Sequence, residues 1–85
     1  MNIEYITELK NKEYALVGAN VVKINSIDVE DDDIQATSLF NEQTVSYSIK
    51  HSGMIPLTVE EKDKLVSTYN NEGYVGLLEY IYNNY

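Results

Sequence analysis

The stretch Ile55-Pro56-Leu57-Thr58-Val59-Glu60-Glu61 decides the fold, because the chain changes character there. Before it lie β-branched residues in rough alternation; after it lie apolar residues at helical spacing. Pro56 has no amide proton to give to a ladder and drives Ile55 towards an extended conformation. Thr58 stands three residues ahead of Glu61, the spacing of a capping box, in which hydroxyl and carboxylate each satisfy the other residue's amide. Such a cap is worth about 1 kcal/mol and fixes where a helix begins.

Downstream, the spacing predicts a helix over 59–69 whose buried face includes Leu65, Val66 and Tyr69. Asn70-Asn71-Glu72-Gly73 reads as its end, with Gly73 in a left-handed conformation. A last helix over 74–84 follows, with Tyr74, Leu77, Leu78, Ile81 and Tyr85 as its stripe.

Upstream, 44–50 alternates most cleanly, with Val45, Tyr47 and Ile49 inward. Residues 34–40 form another strand candidate, with Ile34, Ala36 and Phe40 on one side. The run 21–29 changes phase between Val22/Ile24 and Ile27/Val29, which a bulge near Asn25-Ser26 reconciles. Residues 14–17 are a short strand stopped by Gly18-Ala19-Asn20. The chain opens on a short helix capped by Asn2, with Ile3, Tyr5, Ile6 and Leu9 as its apolar stripe and Lys10 and Lys12 in its last turn. The fold class read from the chain is α+β. A short N-terminal helix leads into a three- to four-stranded antiparallel sheet, barrel-like if it closes, with two C-terminal helices packed on it. All helices are expected on one face of the sheet. The expected organisation is a single domain, 1–85: helix 1–12, sheet 14–51 and helical hairpin 55–85.

Composition narrows the function classes. The chain has 85 residues, enough for one domain with a small core. It has no cysteine, so disulfides and thiolate metal sites are excluded. No apolar run approaches the roughly 18–20 residues of a membrane span, and the N-terminus lacks a basic leader, so a cytoplasmic protein is expected. Six lysines face fourteen acids, for a net charge of −8, and there is no arginine. Binding to nucleic acid or to an anionic membrane needs clustered cations and is not expected. A partner with a basic groove is compatible with this balance.

Three features could carry function. The acidic run Asp28, Glu30, Asp31, Asp32 and Asp33 fails as a calcium loop, because Asp33 stands where glycine is needed and Leu39 where a bidentate Glu is needed. It reads either as a solvated turn that discourages edge-to-edge pairing or as a negative prong for a cationic groove, with Glu42 as a further candidate. His51 is the only histidine and has no supporting ligand or nucleophile, so it reads as a residue closing a strand. Five of the eight tyrosines, Tyr69, Tyr74, Tyr80, Tyr82 and Tyr85, crowd into the C-terminal third; Tyr80 and Tyr82 fall off the apolar stripe and suit a partner surface or a homodimer. No catalytic constellation, metal-ligand spacing or cofactor loop is present, so neither an enzyme nor a cofactor is expected.

The opening M-N-I-x-x-I-x-x-L-K-N-K-E-Y resembles the start of the small acidic anti-CRISPR proteins of listerial phages, which inhibit the type II RNA-guided nuclease. With one gap, Met1, Asn2, Ile3, Lys10, Asn11, Lys12 and Tyr14 match, and Glu13 stands where Asp is usual. The matched positions are structural, and no nuclease-contacting residue carries over. The resemblance implies inhibition of a host defence factor by DNA mimicry, with carboxylates standing where phosphates are expected. The 28–33 turn and Glu42 are the candidates for that role here. A second resemblance, of Gly18, Asn20, Val22 and 55–58 to short phage proteins with a small barrel, implies a fold and no activity. Two other readings stay open: an oligomer that sequesters a small signalling ligand, and a structural or regulatory phage subunit.

Overall fold

The computed structural model describes residues 3–85. Helix α1 spans Ile3–Lys12, and strands β1 to β5 span Tyr14–Val17, Asn20–Asp28, Asp33–Ser38, Thr44–Tyr47 and Ile55–Leu57. Helix α2 spans Val59–Asn84. The sheet is antiparallel and open, in the order β4-β3-β2-β1-β5. The α+β class is therefore correct, while the sheet has five strands instead of three or four and does not close into a barrel. The expected cap at Asn2 lies outside the described residues.

The fifth strand lies inside the stretch that marks the switch of character. Ile55, Pro56 and Leu57 pair with Leu16, Ala15 and Tyr14, so 55–57 belongs to the sheet and not to a helical hairpin. Pro56 is tolerated because β5 is an edge. The capping box begins immediately after it: the Thr58 side chain accepts from the Glu61 amide at 3.1 Å, and Glu61 accepts from the Thr58 amide at 3.0 Å.

Alternation places the core on both faces of the sheet. Ala15, Val22, Ile34 and Ala36 join Leu9, Ile49 and Met54 in one cluster, against which Tyr5 and Ile6 of α1 pack. The next residues along the same strands, Leu16 and Val21, join Leu57, Leu65 and Leu77 in a second cluster with α2. Ala15 pairs with Val22 and Leu16 with Val21, so each neighbouring pair divides between the two sides. Helices α1 and α2 thus cover opposite faces, which corrects the expectation of one helical layer. A strand buried on both faces needs consecutive apolar residues, as Ala15-Leu16 and Val21-Val22 supply.

The β2 bulge falls where the phase change demands it. The β2–β3 register shifts between Ile24 and Ser26, so Ile24 and Ile27 both pack on the α1 side. The cleanest alternation fares less well. Strand β4 is an edge that stops at Tyr47; Val45 is exposed, and Ile49 reaches the core from the loop beyond. Ile3, expected in the α1 stripe, is also exposed, and Leu9 is that helix's buried residue. The Tyr5 hydroxyl donates to the Met54 carbonyl and ties α1 to the chain just before β5.

The C-terminal part counts as one helical element, α2, but it is broken at Gly73, where the end of the first of two helices was expected. Within α2, Gly73 has φ 75° and ψ −168°, which separates an arm before it from an arm after it. Positive φ was expected there, but this region lies beyond the left-handed helix and is open essentially to glycine alone. The covered face of the second arm differs from the expected stripe. Leu77, Tyr80 and Ile81 pack inward, while Tyr74, Leu78 and Tyr85, expected on the stripe, are exposed. A Cβ on Gly76 would stand 2.3 Å from the Glu72 Cβ, so the close approach across the break also requires glycine there.

Gly73→Ala meets no atom within 4 Å, so its effect isolates the backbone requirement. It should destabilise the fold by about 1–3 kcal/mol, read as a lower urea midpoint at unchanged slope. An unchanged midpoint would mean that the break does not need a positive φ.

Candidate functional site

The acidic run occupies the hairpin between β2 and β3. Asp28 and Asp33 close the ladder opposite one another, and 29–32 form the tip. Most of the run's carboxylates build the loop themselves. Asp28 Oδ1 accepts from the Asp31 amide at 3.2 Å, and Asp33 Oδ2 accepts from Gln35 Nε2 at 3.0 Å. Asp32, at φ 53°, accepts from the Ser48 hydroxyl and from the Lys50 amide at 3.0 Å. That pair of bonds fastens the tip to the segment after β4. The bond from Ser48 holds the Asp32 carboxyl below the ordinary Asp range; desolvation opposes it, and the Lys50 amide adds to the lowering.

Glu30 and Asp31 remain at the tip, exposed and with no side-chain hydrogen bond or ion pair among the described residues. They are the two carboxylates of the run available to an outside partner. Glu42 does not join them. It lies in the turn after β3, at φ 61°, a strand length of about 20 Å from the tip. The candidates 28–33 and Glu42 thus sit at opposite ends of the sheet.

The two tyrosines also separate. Tyr80 is half-buried against the α2 cluster, with the Lys64 ammonium 6.0 Å from its ring centroid. Tyr82 is 87% exposed. Sequence reasoning missed Val75 and placed Leu78 on the buried stripe; both lie on the same exposed face as Tyr82 at i, i+3 and i+7, and apolar spacing alone does not say which face of the arm is covered. His51 is exposed in the turn after β4, where its amide donates to Ser48 Oγ at 3.2 Å.

Two clefts flank the β1–β2 turn. One, of about 370 Å³, is lined by Asn20, Ser38, Phe40, Asn41, Tyr69 and Tyr74, with Ala19 at its edge. Phe40 and Tyr69 stack with centroids 4.2 Å apart. Ser38 Oγ donates to Asn20 Oδ1 at 2.7 Å and accepts from the Phe40 amide at 3.1 Å. No charged side chain lines this cleft. The other, of about 650 Å³, is apolar and runs between the turn and the second arm of α2. Among the described residues no group of three or more His, Cys, Asp or Glu side chains could hold a metal ion. None of the helices described is long and apolar enough to cross a membrane.

No family model matches the chain, and neither a curated protein nor a solved structure matches it.

Asp32→Asn should loosen the tip, because an amide is a weaker acceptor than a carboxylate for two donors. The Lys50 amide should then exchange hydrogen faster at pH 7. The same change should follow acidification of the unsubstituted protein. A carboxyl lowered in the fold contributes above its unfolded value of 3.8 and loses that contribution as pH falls through its folded value. Lys50 exchange that is equal in both proteins, and insensitive to acid beyond its intrinsic dependence, would show that Asp32 does not hold the tip.

Proposed function

We propose that this protein is a non-catalytic inhibitor that binds a larger host defence factor, with the tip of the β2–β3 hairpin entering a cationic groove. The RNA-guided nucleases named by the N-terminal resemblance are the partner class to test first, and an origin in a phage or mobile element belongs to the same proposal. The observation that carries it is the division of labour within the acidic run. Asp28, Asp32 and Asp33 are engaged in the loop, which leaves Glu30 and Asp31 free on a tip that is already fixed. A fixed tip loses little conformational freedom on binding. Its two carboxylates offer acceptors of the kind that phosphate-binding lysines and arginines use. The net charge of −8 would speed the encounter with a basic surface.

A second reading has its own observation. The cleft of Asn20, Ser38 and Asn41 beside the Phe40–Tyr69 stack suits a small, planar, uncharged ligand. A sequestering protein for such a molecule would use this cleft and not the tip. Phosphate-bearing ligands fit it poorly, since no lysine lines it.

The test is capture of guide-loaded nucleases on the immobilised full chain, read by surface plasmon resonance across a salt series. Binding should weaken by roughly tenfold or more between low and moderate salt, and by as much again in Glu30→Lys/Asp31→Lys. Target DNA should compete. Capture that survives both charge reversal and salt would overturn the role of the tip. Failure to capture any such nuclease would overturn the assignment of partner class.

A further inference from the structure

The arm of α2 beyond Gly73 leaves Tyr74, Val75, Leu78, Tyr82 and Tyr85 exposed, whereas the other exposed large hydrophobics are dispersed over several elements. Val75 is 76% and Tyr82 87% exposed. Together with Leu78 they form one helix face. That face lines a mostly apolar groove together with the Gly18-Ala19 turn, Ile81 and one charged residue, Glu79. Neither turn residue carries a side chain beyond Cβ, so another helix can approach closely.

Charge identifies the occupant. Glu79 is the one charged side chain between Gly73 and Tyr85. A cationic partner has almost nothing to recognise on this face. Two copies of a chain of net charge −8 repel one another through solvent, and the approach costs least where charge is sparsest. A two-fold contact also uses the same patch twice, which an apolar stripe beside a shallow groove permits. The area is sufficient for the centre of such an interface. An aromatic side chain offers about 150–250 Å², so Tyr82 with Val75 and Leu78 supplies about 300 of the roughly 800 Å² per partner that a specific complex buries, and the Gly18-Ala19 turn adds to it.

We propose that the chain forms a homodimer about a two-fold axis, with Val75, Leu78 and Tyr82 of each copy seated against the same arm and the Gly18-Ala19 turn of the other. This contact is independent of the hairpin tip.

Sedimentation equilibrium of the full chain, from about 1 µM to about 1 mM, tests it. The mass should rise from 9.7 kDa to twice that value. Added salt should leave the dimer as tight or tighten it, because it screens like charges. Val75→Asp and Tyr82→Ser change exposed positions, so at the dilute, monomeric end of the range their thermal unfolding should match the unsubstituted chain, while each weakens the dimer by roughly tenfold. Val45→Asp, on the exposed β4 edge, should leave it intact. A monomer throughout the range would overturn the proposal. So would a dimer indifferent to Val75→Asp and Tyr82→Ser, or one abolished by Val45→Asp, which would point to edge pairing. Growth beyond two copies would overturn the two-fold contact.

Discussion

The constraint on which the rest of the structure depends is the burial of β1 and the start of β2 on both faces. Ala15 and Val22 face α1, Leu16 and Val21 face α2, and all four are buried. Among the described residues these consecutive pairs join the two clusters most directly. An outer helix can be displaced at the cost of one cluster, but a polar side chain at Ala15 or Leu16 would enter a cluster lined by the strands and a helix together, where an unpaired polar group is costly. The connections respect this centre. Glu13 adopts φ 68° after α1, its amide donating to the Leu9 carbonyl and its own carbonyl accepting from Ile24. Strand β5 then closes the free side of β1 before the capping box starts α2.

With both faces of β1 and the start of β2 covered, the surfaces left for partners are the ends of the sheet, the open polar face of β2–β4 around Asn25, Thr37 and Thr44, and the outer sides of the helices. The hairpin tip and the outer face of the second α2 arm are two such places, and they differ in kind. One is small, acidic and held by its own carboxylates. The other is apolar and carries one charge. The same chain can thus bind a cationic groove at one place and its own copy at another, with opposite responses to salt.

Local signals in the sequence were legible where a single physical cause acted. The capping box of Thr58 and Glu61 and the bulge near Asn25 stand where spacing and phase require them, and so does the positive φ of Gly73. What misled was environment. Residues 44–50 alternate well, yet β4 is an edge, and alternation cannot tell a covered face from an open one. Pro56 argues against a central strand but is silent about an edge strand of three residues. The consecutive pairs Ala15-Leu16 and Val21-Val22 were the sign of helices on both faces, and the runs were too short to be read that way. In the candidate site, sequence identified the acidic run but not which carboxylates the loop consumes. For Asp32 that depends on Ser48 and Lys50, many residues away. The exposed stripe of Val75, Leu78 and Tyr82 was hidden because this arm is apolar on more than one side, and spacing does not say which side the sheet covers.

The measurement that tests the central claim most directly is native-state amide hydrogen exchange along the whole chain. If the doubly covered strands are the centre, the amides of 15–16 and 21–22 that bond within the sheet should be among the slowest, opening only with global unfolding. Those of β4 and of the second α2 arm should exchange through smaller openings. If β1 exchanges as fast as the β4 edge while α2 alone is slow, the two-faced arrangement is contradicted.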